Sequence, residues 1–94
     1  MTKPTSPKFH AFVYCTVGSR AELEQGMAGK NKNYYQRMLK NIKEYICICD
    51  EAGFAGFGHP EHHLQIEGME VTGSPGLLSM FIGQNSKNLK VNVF

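Results

Sequence analysis

His59-Pro60-Glu61-His62-His63 places three imidazoles and one carboxylate within five consecutive positions. Imidazoles change charge near neutrality, so beside a carboxylate they can move protons or hold a metal ion. The segment follows Ala52-Gly53-Phe54-Ala55-Gly56-Phe57-Gly58, which reads as a helix end running into a buried strand. The point where a strand empties into a loop is where α/β folds keep their ionisable chemistry.

The elements that must position these groups follow from periodicity. Residues 8–17 (KFHAFVYCTV) predict a first strand, with Phe9, Ala11, Val13 and Cys15 alternating with His10, Phe12, Tyr14 and Thr16. Both faces are largely apolar, which predicts a sheet covered on both sides, the usual setting of parallel strands. Residues 18–33 form a polar, glycine-containing connector in which 20–27 can make a helical turn. A loop that long suits a lid or a binding loop. Residues 34–52 predict a helix, because Tyr34, Met38, Ile42, Tyr45/Ile46 and Cys49 recur every three to four positions. Asn33 is its predicted N-cap and Gly53 its stop. Residues 54–58 predict a second strand, whose glycines imply close approach by another backbone or a ligand. Residues 64–72 form an irregular loop. Ser74-Pro75 opens a second helix through residue 84. A turn at 85–88 then leads to a third strand at 89–94. Strand–helix–strand–helix–strand predicts a parallel α/β sheet.

Composition narrows the class. The 94 residues, 41% hydrophobic and 19% charged, suit one small domain or part of a larger one. A net charge of +2 without a Lys/Arg cluster argues against a nucleic-acid or membrane-surface partner. No apolar run approaches transmembrane length. The polar, proline-containing start lacks the apolar core of a signal peptide, so residues 1–7 are expected to be a tail and the protein cytoplasmic. Cys15, Cys47 and Cys49 make an odd count. On a helix, Cys47 and Cys49 point about 200° apart, a poor disulfide or metal pair. All three are expected to be reduced and buried or half-buried.

Asp50-Glu51-Ala52-Gly53-Phe54, Pro60-Glu61-His62-His63, Gly73-Ser74-Pro75 and Lys87-Asn88-Leu89-Lys90-Val91, in this order, resemble the N-terminal part of the bacterial-luciferase-like flavin monooxygenases. In that family an E-x-x-G-F helix end enters the second strand, the strand finishes in E-H-H, a G-x-P helix start follows, and a polar turn leads to the third strand. The resemblance spans residues 8–93. It implies a (β/α)8 TIM barrel, of which three strands and two helices are present, since a whole barrel takes about 250 residues. It implies FMN, supplied reduced by a flavin reductase, together with O2 and a small organic substrate; some relatives use a deazaflavin and transfer hydride. The family's phosphate-binding loops lie mostly in later strands.

By the same resemblance, His62 is the catalytic acid or base and a cofactor contact. Glu61 is a second catalytic group, and His63 supports the cofactor. Neighbours on an extended segment point to opposite sides, so Glu61 and His62 can share a site only if the chain has turned. His59 lies outside the matching motif and is expected to be structural. Met38, Phe57, Met80 and Phe81 are expected in the core, and Ser74 as a helix cap. A homo-oligomer is implied by the dimers common in the family.

Two other readings remain open. A metal module using His59, His62, His63 and Glu61 is conceivable, but no Cys or His elsewhere has finger-like spacing. A non-catalytic, truncated family member needing a partner is the other. Three parallel strands leave open edges and uncovered apolar faces, so such a chain is expected to associate or to be poorly soluble.

Overall fold

A computed structural model describes residues 6–64 and 66–93. Residues 1–5 of the expected tail, Gln65 of the expected loop and Phe94 of the expected third strand lie outside them. The elements run β1 (His10–Phe12), α1 (Arg20–Glu24), a 3-10 turn (Ala28–Lys30), α2 (Lys32–Glu51), β2 (Gly56–His59), α3 (Pro75–Gln84) and β3 (Lys90–Val93). The strands form one parallel sheet in the order β1-β2-β3. Ala11, Phe57 and Val91 share one level of the register.

Both ends of α2 are built from local chemistry. Asn31, not Asn33, is the N-cap: its Oδ1 accepts from the Asn33 and Tyr34 amides at 3.0 and 3.1 Å. The cap moved because Lys32 and Asn33 continue the helix backward with their side chains in solvent. At the other end, Gly53 at φ 83° is the left-handed residue after the helix. Phe54 N–H donates to the Cys49 carbonyl and Gly53 N–H to that of Asp50, which completes the six-to-one and five-to-two closure that favours glycine there. Asp50 also accepts from the Lys87 and Asn88 amides at 2.6 and 3.1 Å, tying the end of α2 to the turn before β3. Ser74 occupies the N-cap position of α3 with Pro75 in the first turn, but its side chain makes no capping bond.

The core is one cluster. Met38, Ile42 and Ile46 of α2 and Leu78 and Ile82 of α3 are buried with Phe57, Leu89, Cys15, Val17 and Ala28. Ala11, Val13 and Val91 pack against it from the sheet. Two expectations fail here. Tyr45 is exposed, because the buried stripe runs through Met38, Ile42 and Ile46 at strict four-residue spacing. Met80 is also exposed, because Leu78 and Ile82 turn the opposite side of α3 inward.

The first strand is shorter than its pattern. Only 10–12 pair with β2. From Cys15 onward the chain pairs instead, antiparallel, with the loop after β2: Val71 N–H donates to the Cys15 carbonyl and Val17 N–H to that of Gly68, both at 3.0 Å. Thr16 Oγ1 donates to the Met69 carbonyl at 2.6 Å. Among the described residues the sheet is covered by helices on one side, not on both as expected. By strand alternation Phe12 and Tyr14 point away from the core, and they are 43% and 64% exposed with their rings edge to face. On that side His10 Nδ1 and Asn92 Nδ2 meet across Gly56, where a Cβ would collide with both side chains.

The connector 18–33 is not a free loop. Ser19 and Glu22 form a reciprocal capping box on α1. Arg37 of α2 grips the Glu22 carboxylate with its two terminal guanidinium nitrogens, at 2.6 and 3.2 Å, and donates to the Val17 carbonyl. Beneath this clamp, Gly68 sits at φ 98° against Val17, Leu23 and Ala28.

Gly68→Ala adds a Cβ to a left-handed residue and drives it into Val17, which should cost about 1–3 kcal/mol in urea unfolding; an unchanged midpoint would mean the two loops do not pack there. The Arg37 guanidinium, then the Ser19 amide, hold the Glu22 carboxyl at about 2, below its ordinary 4.5. A depressed carboxyl stabilises the fold above its unfolded pKa and loses that effect as pH falls toward the folded value. The stability gap between wild type and Glu22→Gln should therefore be full above about pH 4.5 and shrink toward pH 2. A gap constant across that range in acid denaturation would refute the clamp.

Candidate functional site

Parallel pairing points the C-terminal ends of all three strands the same way, and the loop 60–73 leaves β2 from that end. His59, the last residue of β2, is fully buried. Its Nδ1 meets the Pro60 carbonyl at 3.2 Å and its Nε2 the Ser79 hydroxyl at 3.0 Å. A carbonyl only accepts, so Nδ1 carries a hydrogen and donates it to Pro60. His59 is thus a hydrogen-bonded joint between β2 and α3, in keeping with its expected structural role.

Past Pro60 the three candidate residues separate into two pairs. His63 Nε2 lies 3.0 Å from Glu61 Oε1, an exposed pair within the loop. His62 Nδ1 lies 2.8 Å from Glu70 Oε2, with the carboxylate the more buried partner. Glu61 therefore pairs with His63. The chain has turned beyond β2, and neighbouring side chains go to different partners. His62 N–H also donates to the Thr72 carbonyl at 3.2 Å, closing the loop on itself. The Thr72 hydroxyl is buried and has no hydrogen-bond partner among the described residues.

Glu70 reaches further than His62. It lines a groove of about 570 Å³ together with Tyr14, Thr16, Glu67 and Met69. It also stands near Cys15, whose thiol is pushed up to about 11 by burial first and by the Glu70 charge second. Among the described residues no group of three or more His, Cys, Asp or Glu side chains is arranged to hold a metal ion. Also among them, no helix is long and apolar enough to cross a membrane.

No family model, no curated protein and no solved structure matches this chain.

Sequence pattern singled out His62, His63 and Glu61 but passed over Glu70, Ser79 and Cys15. Glu70 carried one usable signal: Met69, Glu70 and Val71 alternate apolar, polar, apolar, which marks an extended piece inside an apparent loop. Cys15 could have been flagged because the predicted first strand ends at the same sheet edge as the histidines. Ser79, twenty positions from His59, had no local signal at all.

Cys15 is buried and Cys49 half-buried, as expected, but Cys47 is exposed, because it lies off the stripe of α2 that faces the sheet. A thiolate is the reactive form, so burial and a raised pKa both protect Cys15. An aromatic disulfide reagent at pH 8 should modify Cys47 first and Cys49 more slowly, since burial raises its thiol too, leaving Cys15 untouched until the protein unfolds. Rapid modification of Cys15 in the folded chain would contradict this burial.

Proposed function

We propose that the C-terminal end of this sheet is the flavin-side wall of a luciferase-like monooxygenase, with β1, β2 and β3 acting as the first three strands of a (β/α)8 TIM barrel. One observation carries the reading. An imidazole paired with a half-buried carboxylate stands at the C-terminal end of a parallel sheet, beside a groove, where barrel enzymes keep their chemistry. The order of the resembling segments along the chain supports it. On this reading residues 1–94 are one partial domain, working in the cytoplasm on a small molecule with O2, on FMN delivered by a reductase.

The residues present fit part of such a cofactor. Tyr14 and Met69 offer apolar surface for a flat ring system, and the groove volume lies within the range of small-molecule sites. Among the described residues neither Lys nor Arg lines it, while Glu67 and Glu70 do, so these residues offer no cation for a phosphate. The phosphate would be held by other strands. When bound, reduced flavin supplies the electrons and the oxygen activation. His62, paired with the groove residue Glu70, gives or takes a proton. Tyr14 and Met69 would lie against the ring system and give it an apolar surface. Glu61 and His63 stand at the loop surface as a second acid–base pair open to substrate.

A second reading, that the chain acts only after associating with further strands, is favoured by the exposed Phe12–Tyr14 pair and by β1 and β3 each having one edge unpaired among the described residues. One titration addresses both. Oxidised FMN, reduced FMN, riboflavin and a deazaflavin are added to the protein at several protein concentrations, with flavin fluorescence and peroxide release as readouts. The expected result is saturable binding of FMN and riboflavin with similar affinity, weakened at least about tenfold in His62→Ala. Binding that strengthens with protein concentration marks association. Preference for the deazaflavin moves the chemistry to hydride transfer. No binding of any flavin at high micromolar concentration refutes a flavin site on these residues.

A further inference from the structure

We infer that the outer face of α2 docks against the same face of a second copy of this chain, the two helices lying antiparallel about a two-fold axis. This contact involves neither the histidine loop nor the sheet edges, so it is independent of the flavin reading.

The charge pattern of α2 points to this partner. Residues 32–43 hold Lys32, Arg37, Lys40 and Lys43 and no acid, and residues 44–51 hold Glu44, Asp50 and Glu51 and no base. A helix by itself favours the reverse, because its N-terminal end is partly positive and its C-terminal end partly negative. The first turn of α2 contains no acid and its last turn no base. Contacts within the chain account for two of these groups. Arg37 is taken by Glu22, and Asp50 by the Lys87 and Asn88 amides. Lys40, Lys43, Glu44 and Glu51 are exposed and form no ion pair among the described residues, although Lys40 and Glu44 stand one turn apart.

Lys40, Glu44, Cys47 and Glu51 follow at four, three and four positions, which sets them in one row on the side of α2 opposite Ile42. Along that row runs a groove of about 500 Å³ lined by Lys40, Lys43, Glu44, Cys47 and Ile48, with Ile48 63% exposed. A two-fold axis midway between residues 40 and 51 sets Lys40 of each copy opposite Glu51 of the other, and Glu44 opposite Cys47. The basic half of each helix then lies along the acidic half of the other, and the two macrodipoles run antiparallel. Ile48 and the methylene stems of Lys40 and Lys43 supply the apolar surface that the contact covers. A parallel pairing would set like charges against each other, so the pattern selects the antiparallel one.

The test is the oligomeric state of the full chain, measured by sedimentation equilibrium from low to high micromolar concentration at low and high salt. The expected result is a monomer–dimer equilibrium that moves toward monomer as salt screens the exposed charges. Lys40→Glu with Lys43→Glu, and separately Glu44→Lys with Glu51→Lys, should each raise the dissociation constant of the dimer at least about tenfold. An equimolar mixture of the two double variants should dimerise again, a recovery that misfolded chains would not give. A short bismaleimide should join the wild-type dimer through Cys47 and fail in Cys47→Ser, a readout that needs neither charge variant to fold. A wild-type chain that is monomeric throughout overturns the inference. A dimer that persists in both double variants overturns it too and moves the contact to the sheet edges. So does a mixture that stays monomeric, or a dimer that Cys47 does not cross-link.

Discussion

Every other element of this structure is arranged around β2, a strand of Gly56, Phe57, Gly58 and His59 that hydrogen-bonds on both of its edges. All four residues are buried. Two are glycines, so neighbouring side chains on the far side of the sheet can close over the strand, as His10 and Asn92 do above Gly56. Phe57 faces the helices and is completely enclosed. Burying such a ring stabilises by about 1.5–3 kcal/mol, and the stripes of α2 and α3 exist to enclose it. Because β2 is central and parallel to both neighbours, its end is also where the loop carrying the histidines must emerge.

That loop takes its shape from a second strand's incompleteness. β1 leaves β2 after three residues, and the backbone groups of Cys15 and Val17 then need other partners. The segment 68–71 supplies them by returning antiparallel. The same turnback carries Glu70 to His62, so their contact accompanies the pairing of main-chain groups. Gly68 makes the return possible, since only a residue without a Cβ fits between Val17, Leu23 and Ala28 at its positive φ. The Arg37–Glu22 clamp closes the arrangement from the other side by fastening the connector to α2.

Much of the fold was legible before any coordinates. The three-to-four spacing of Met38, Ile42 and Ile46 marked α2, Gly53 marked its end, and Ser74-Pro75 marked the start of α3, because each signal acts within a few residues. Alternation of strands and helices indicated a parallel α/β sheet, as found. Less was legible where a residue's state depends on distant chain. Strand 8–17 looked uniform, yet only its first part found β2. Tyr45 and Met80 matched an apolar pattern and yet stand in solvent, because a helix of period 3.6 offers two adjacent stripes and only the neighbours decide which one is covered.

By itself the sequence determined the stop of α2, the start of α3 and the placing of three imidazoles at and just beyond the end of a strand, all matters of local sterics and hydrogen bonding. It could also indicate that Glu61 and His62, as neighbours, would share a site only if the chain turned. Only the tertiary structure decided who their partners are. Glu70 is eight positions from His62, and Ser79 is twenty from His59, with no spacing rule to join either pair. They meet because a parallel sheet, a helix packed on it and a loop turned back by Gly68 bring them to one edge. Such meetings follow from burial and main-chain hydrogen-bond satisfaction over the whole chain, which no short segment encodes.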